Sequence, residues 1–147
     1  VNNTLKVVHW GSIKSEIRQP FPQRLKFIYD ELIIAIRKFN PDEIAIEDMF
    51  FATNVKSALK LGQTRGVAIL SAVNESKRVA EYSPLEVKQS VVGYGRAEKT
   101  QVQDMVTSIL KLEEKPEPLD ASDALAVAIC HIHTATAELR IKTAKGT

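Results

Sequence analysis

A single cysteine, Cys130, occurs among the 147 residues. No disulfide can therefore close within the chain, no cluster of thiolates can hold zinc, and a reducing cytosol fits. No apolar run approaches the roughly 18 residues of a membrane helix, and no secretory signal is visible. The expectation is a soluble, cytoplasmic protein without a membrane partner. An excess of one charge is also lacking. The net charge of +2 does not by itself point to a polyanionic partner, so any such partner has to be argued from local groups. Internal repeats are absent, as is any linker long enough to separate domains. One domain over residues 1–147 is expected, long enough to bury roughly two-thirds of the surface its unfolded form exposes. The 44% hydrophobic and 26% charged content is ordinary for such a domain.

What is present alternates between strand and helix patterns. Leu5-Lys6-Val7-Val8-His9-Trp10 has strand composition, and residues 11–15 extend it with a kink at Gly11. After Pro20 and Pro22, apolar Leu25, Ile28, Leu32, Ile36 and Phe39 recur at the helical period until Asn40-Pro41. Residues 43–47 read as a short strand too apolar to alternate, as expected where both faces are covered. A helix is expected over residues 54–73, with Gly62 and Gly66 inside it. Two such glycines cost about 1 kcal/mol each against alanine, which suggests a close helix contact as compensation. A strand follows over 77–82, then helices over about 85–92 and 98–112, divided by the turn Gly93-Tyr94-Gly95-Arg96. Residues 113–118 form a polar, proline-broken loop. The last helix is expected over about 120–139, with Arg140, Lys142 and Lys145 in a solvated tail. The alternation argues for an α/β layered fold.

Three acids stand out against that frame. Glu47 ends the apolar run Ile44-Ala45-Ile46, at the carboxyl end of a central strand, where open α/β sheets place their ligands. Asp120 and Asp123, three apart, share one face of a helix. Carboxylate oxygens suit Mg²⁺ or Mn²⁺, and two such ions about 4 Å apart can clamp both oxygens of a phosphodiester undergoing hydrolysis. Simpler readings stand beside this one. Asp120 after Pro118 suits a helix cap, Asp123 suits the helix dipole, and Glu47 suits a loop. Asp48 competes with Glu47, although strand alternation aims it at the other face.

At this point the chain resembles the RuvC family of Holliday-junction resolvases, within the ribonuclease H-like superfamily. The resemblance rests on Ala45-Ile46-Glu47-Asp48-Met49-Phe50, on residues 57–63 with Arg65-Gly66-Val67-Ala68, on Val87-Lys88-Gln89 and on residues 91–95. It continues through Ala97-Glu98-Lys99 and residues 101–103 into Asp120-Ala121-Ser122-Asp123-Ala124-Leu125-Ala126. It implies a mixed sheet flanked by helices, with Glu47, Asp120 and Asp123 as catalytic metal ligands for two Mg²⁺ ions, Mn²⁺ substituting. The family's first metal-binding aspartate lies on an initial strand, in a pattern like Gly-Ile-Asp-Pro-Gly, which has no counterpart here. The chain opens on Val1, and the expectation is a start roughly twenty residues late, about a strand, turn and strand. Absence of that central strand would leave a gap between the strands at 5–10 and 43–47.

The resemblance also implies that Lys88 and Lys99 contact the scissile region, where they would neutralise phosphate charge. Taken alone, each is a solvated surface lysine. Phe50, with Phe51 beside it, is implied to stack on unpaired bases or wedge into a junction; by spacing alone the pair reads as core. Lys56, Lys60, Arg65 and Arg96 complete a surface that tracks the DNA backbone. His131 and His133 read as ordinary helix histidines, and Trp10 as packing.

The expected activity is Mg²⁺-dependent hydrolysis of DNA phosphodiesters near the crossover of a four-way junction, in recombination and repair. A homodimer making paired nicks is implied, with RuvA and RuvB as partners. The glycine-bearing helix is the candidate dimer contact. The alternatives are a non-catalytic junction-binding module, motivated by the missing aspartate, and a related nuclease acting on RNA.

Overall fold

Proline needs no amide hydrogen bond in a helix's first turn, and its fixed φ suits entry into one. Pro20 and Pro22 accordingly open α1 (Phe21–Phe39), which ends where Asn40 turns left-handed at φ 44° and its amide bonds Ile36 O. Chain reversal there launches β1 (Glu43–Glu47). The side chain of Asn54 accepts from Ser57 N at 2.9 Å and so caps α2 (Val55–Asn74). β2 (Arg78–Tyr82) follows. Reciprocal capping by Ser83 and Glu86 starts α3 (Pro84–Val91), and the same arrangement between Glu98 and Gln101 starts α4 (Lys99–Ile109). α5 (Leu119–Lys145) closes the order.

This computed structural model describes residues 4–48 and 54–146. Their contacts gather into two compact units, one of residues 13–81 and one of the residues through 12 and from 82 onward. In the first, α1 packs on α2 through buried Ile33, Ile36, Ser71 and Ala72. β1 and β2 pair as a two-stranded parallel sheet, joined by the α2 crossover. An ion pair between Arg78 and Glu43 at 3.0 Å links the two strand starts. Across the edge of the unit Asn74 Nδ2 donates to Tyr29 OH at 2.7 Å, and Arg37 reaches Glu75 at 2.9 Å.

The second unit packs α5 against α3 and α4. Buried Val87, Val91, Val102 and Val106 meet an α5 face of small residues, including Ala121, Ser122 and Ala126. Gln103 Nε2 and Ser122 Oγ both donate to Pro116 O, at 3.0 and 3.1 Å, and fasten the loop before α5. A Cβ on Gly95 would lie 1.9 Å from Leu85 Cδ1, so the glycine turn sits directly on α3.

Several expectations change. Residues 5–10 form no strand and residues 11–15 do not extend one. Leu5 and Val7 remain half-buried while Lys6 and Val8 are exposed, so the alternation persists without a ladder to hold it. α5 runs on to Lys145, which puts Arg140, Lys142 and Lys145 on helix rather than in a tail. Trp10, read as packing, is exposed. Cβ atoms on Gly62 and Gly66 would meet nothing within 4 Å, so no described residue makes the close contact expected there. No helix among the described residues is long and apolar enough to cross a membrane.

Candidate active site

Pro118 takes the N-cap position of α5. Asp120 is thus inside the first helical turn, which removes the capping role an aspartate after proline suggests. One turn on, Asp123 has a side chain 27% exposed. Asp120 is exposed, and the pair lies on adjacent turns of one helix, as their spacing predicts. Lys99, the first residue of α4, donates from Nζ to Asp123 Oδ2 at 3.2 Å. The starts of α4 and α5 therefore bring a lysine to an aspartate. Lys88 lies half-buried in the last turn of α3, and Arg96 is exposed in the glycine turn, where Gly93 takes φ 99°. That backbone angle favours glycine.

In the unit of residues 13–81, Glu47 is the half-buried last residue of β1. Asp48, its competitor, is held otherwise: Arg65 on α2 places Nε 3.5 Å from Asp48 Oδ1 and Nη2 2.8 Å from Glu81 Oε2. Lys56 and Lys60 are exposed on the first half of α2, with Lys60 Nζ 5.5 Å from the centre of the Phe21 ring. Phe50 and Phe51 lie outside the described residues.

Among the described residues, no three His, Cys, Asp or Glu side chains gather as a group able to hold a metal ion. The donor chemistry of Asp120, Asp123 and Glu47 is nonetheless all oxygen, as a hard divalent cation requires. Asp123 accepts one hydrogen bond from Lys99, which leaves carboxylate lone pairs for a cation. Asp120 and Asp123, on one helix, offer the oxygen donors such an ion takes.

Nitrogen and sulfur donors nearby are turned to other uses. His131 Nδ1 shares a 2.7 Å hydrogen bond with Tyr82 OH, and His133 Nδ1 one of 3.2 Å with Ser90 Oγ. These are structural histidines, in line with their sequence reading. Burial pushes the Cys130 thiol up from its ordinary range, with Sγ against Glu86 O, so it is no nucleophile at neutral pH. Tyr82 is likewise raised, chiefly by burial. Spacing does not reveal the Arg65 bridge, because both of its acids lie several helical turns away from it in the chain.

The family model described as crossover junction endodeoxyribonuclease RuvC matches residues 1–131. The crossover junction endodeoxyribonuclease RuvC of Alkaliphilus oremlandii is 55% identical over 132 residues, covering 90% of this chain and 80% of its own. Solved structures are similar as well, among them the following two. Thermus thermophilus RuvC gives a TM-score of 0.83 at 31% identity, covering 92% of this chain and 81% of that one. T. thermophilus RuvC in complex with Holliday junction substrate gives 0.82 at 28% identity, covering 90% and 80%.

Proposed function

The chain belongs to the RuvC family of crossover junction endodeoxyribonucleases, and on that premise we propose that it resolves four-way DNA junctions by metal-dependent hydrolysis with Glu47, Asp120 and Asp123 as metal ligands. The observation that carries the site is the pair of aspartates on successive turns of α5, one of them reached by Lys99. Bound Mg²⁺, or Mn²⁺ in its place and two ions per site, would supply an activated water and stabilise the departing oxygen.

The chain's own groups do the rest. Glu47, Asp120 and Asp123 supply the negative charge that holds the cations. Lys99 donates to the Asp123 carboxylate and brings a positive charge to its edge. Lys88 and Arg96 add cationic charge on the one unit and Lys56 and Lys60 on the other, charge of the kind that neutralises phosphates. Phe50 and Phe51 are the aromatic pair for unpaired bases.

Residues 1–147 act as one ribonuclease H-like nuclease domain in the cytoplasm, and two copies form a homodimer that works with RuvA and RuvB. The α2 surface supports the dimer: Leu59, Leu70 and Val73 are exposed, and Gly62 and Gly66 leave open space beside them. Two-fold symmetry gives two equivalent cuts on opposed strands. A related nuclease acting on RNA, or a module that binds without cutting, is not favoured by the family match.

A synthetic four-way junction incubated with the protein and Mg²⁺ tests the reading. Paired nicks near the crossover are expected, lost in Glu47→Gln while junction binding persists. Binding of the wild-type chain with no nicking in Mg²⁺ or Mn²⁺ would reject it.

A further inference from the structure

Arg65 carries two carboxylates on one guanidinium. Its Nη2 lies 2.8 Å from Glu81 Oε2 on β2, and its Nε 3.5 Å from Asp48 Oδ1, the residue directly after β1. The side chain is 26% exposed, and Nε is buried without a hydrogen-bond partner among the described residues. The guanidinium is ion-paired with both acids at once, Nη2 making the closer contact. The strand starts are already tied by Arg78 and Glu43 at 3.0 Å. Arg65 does the same at the strand ends and ties both to α2, the helix that follows Glu47 in the chain.

A carboxylate that must meet a cation needs its backbone held, and Glu47 is the last paired residue of β1. Beyond it only Asp48 precedes residues outside the described set. Restraining Asp48 restrains the peptide unit that sets where the Glu47 side chain points. We propose that Arg65 is a positioning residue, which clamps the carboxyl ends of β1 and β2 and thereby orients Glu47, rather than a contact to the DNA backbone. The inference rests on the nuclease reading only for the role of Glu47; the clamp stands on its own contacts. A guanidinium engaged by two acids has little charge left for phosphate, unlike exposed Lys56 and Lys60 on the same helix.

The test uses the full chain as Arg65→Gln, Arg65→Lys and Asp48→Asn. Hydrogen exchange of the peptide covering residues 43–48 is expected to quicken about tenfold in Arg65→Gln and in Asp48→Asn. The Mn²⁺ concentration for half-maximal junction cleavage should rise about tenfold in Arg65→Gln and fall back toward wild type in Arg65→Lys. Junction affinity without added metal should stay unchanged, as should its salt slope. Exchange that does not quicken, or affinity lost together with a salt slope shallower by about one, would overturn the clamp and make Arg65 a phosphate contact. Should Arg65→Gln fail to fold, Asp48→Asn and Glu81→Gln leave the arginine in place and carry the same measurements. A wild-type chain that cuts no junction would reject the nuclease reading, while the exchange result would still decide the clamp.

Discussion

Lys99 Nζ donates to Asp123 Oδ2 at 3.2 Å, an ion pair between the first residue of α4 and the second turn of α5. The lysine side chain is 61% exposed, so the pair is worth at most about 1 kcal/mol to folding. Stability is therefore a poor reason for its place, whereas charge beside a proposed phosphate site is a good one. Lys99→Gln should keep its melting temperature within a few degrees and cut junctions about a hundredfold more slowly. Melting by circular dichroism together with single-turnover cleavage checks both halves; unchanged cleavage would leave Lys99 as a surface ion pair.

The start of α3 carries a pH dependence of known sign. Glu86 accepts from Ser83 N at 2.6 Å, and these hydrogen bonds from Ser83 lower its pKa from the ordinary 4.5. A lowered carboxylate stabilises the folded state above its ordinary value, and that contribution is lost as pH falls through the folded one. Ser83→Ala should cost about 1 kcal/mol near neutral pH. Because the variant lacks some of the carboxylate's support, its stability should fall less steeply than wild type below pH 4.5. Urea titrations at a series of pH values measure this, and parallel curves would count against it.

Two glycines of one turn should respond differently to alanine. Gly93 sits at φ 99°, where a side chain is strained whatever space surrounds it. Gly93→Ala should cost about 1–3 kcal/mol. At Gly95 the obstacle is Leu85 Cδ1, 1.9 Å from the added Cβ, but Leu85 is exposed and its methyl can swing away. Gly95→Ala should therefore be the milder substitution. Denaturation midpoints of the two variants compare them directly, and the reverse order would mean that Leu85 cannot move.

How far the chain spells out its own structure depends on the range of the forces involved. Helices α1 to α4 are legible because their stripes and caps, such as Asn54 with Ser57 or Ser83 with Glu86, act within a turn. Asp120 and Asp123 are legible as a pair for the same reason, since helical spacing is local. Residues 5–10 carry a strand's alternation but form none, because a ladder needs a partner backbone that composition does not supply. The end of α5 is not legible, since Leu139 and Ile141, the large apolar residues beside Arg140, Lys142 and Lys145, stay exposed and mark no buried face. Arg65 reads as one more basic residue until its two carboxylates meet it from β2 and from the residue after β1. His131 and Tyr82 pair in the same nonlocal way.

The open face of α2 supplies the last prediction. Leu59, Leu70 and Val73 are exposed, and Cβ atoms at Gly62 and Gly66 would touch nothing within 4 Å. A helix that exposes leucines and loses about 1 kcal/mol for each interior glycine gains nothing from this within its own unit. A second copy laid across the face would bury the leucines and use the glycines for close backbone approach. Leu59→Glu and Leu70→Glu should therefore yield monomers by sedimentation velocity at micromolar concentration, where wild type should sediment as a dimer. Each variant should keep the wild-type melting curve when both are measured dilute enough to be monomeric, because neither side chain is buried in one chain. Paired nicking should also become uncoupled, with single nicks accumulating on the junction, since two opposed sites no longer arrive together. Dimers that persist in both variants would move the interface to another surface.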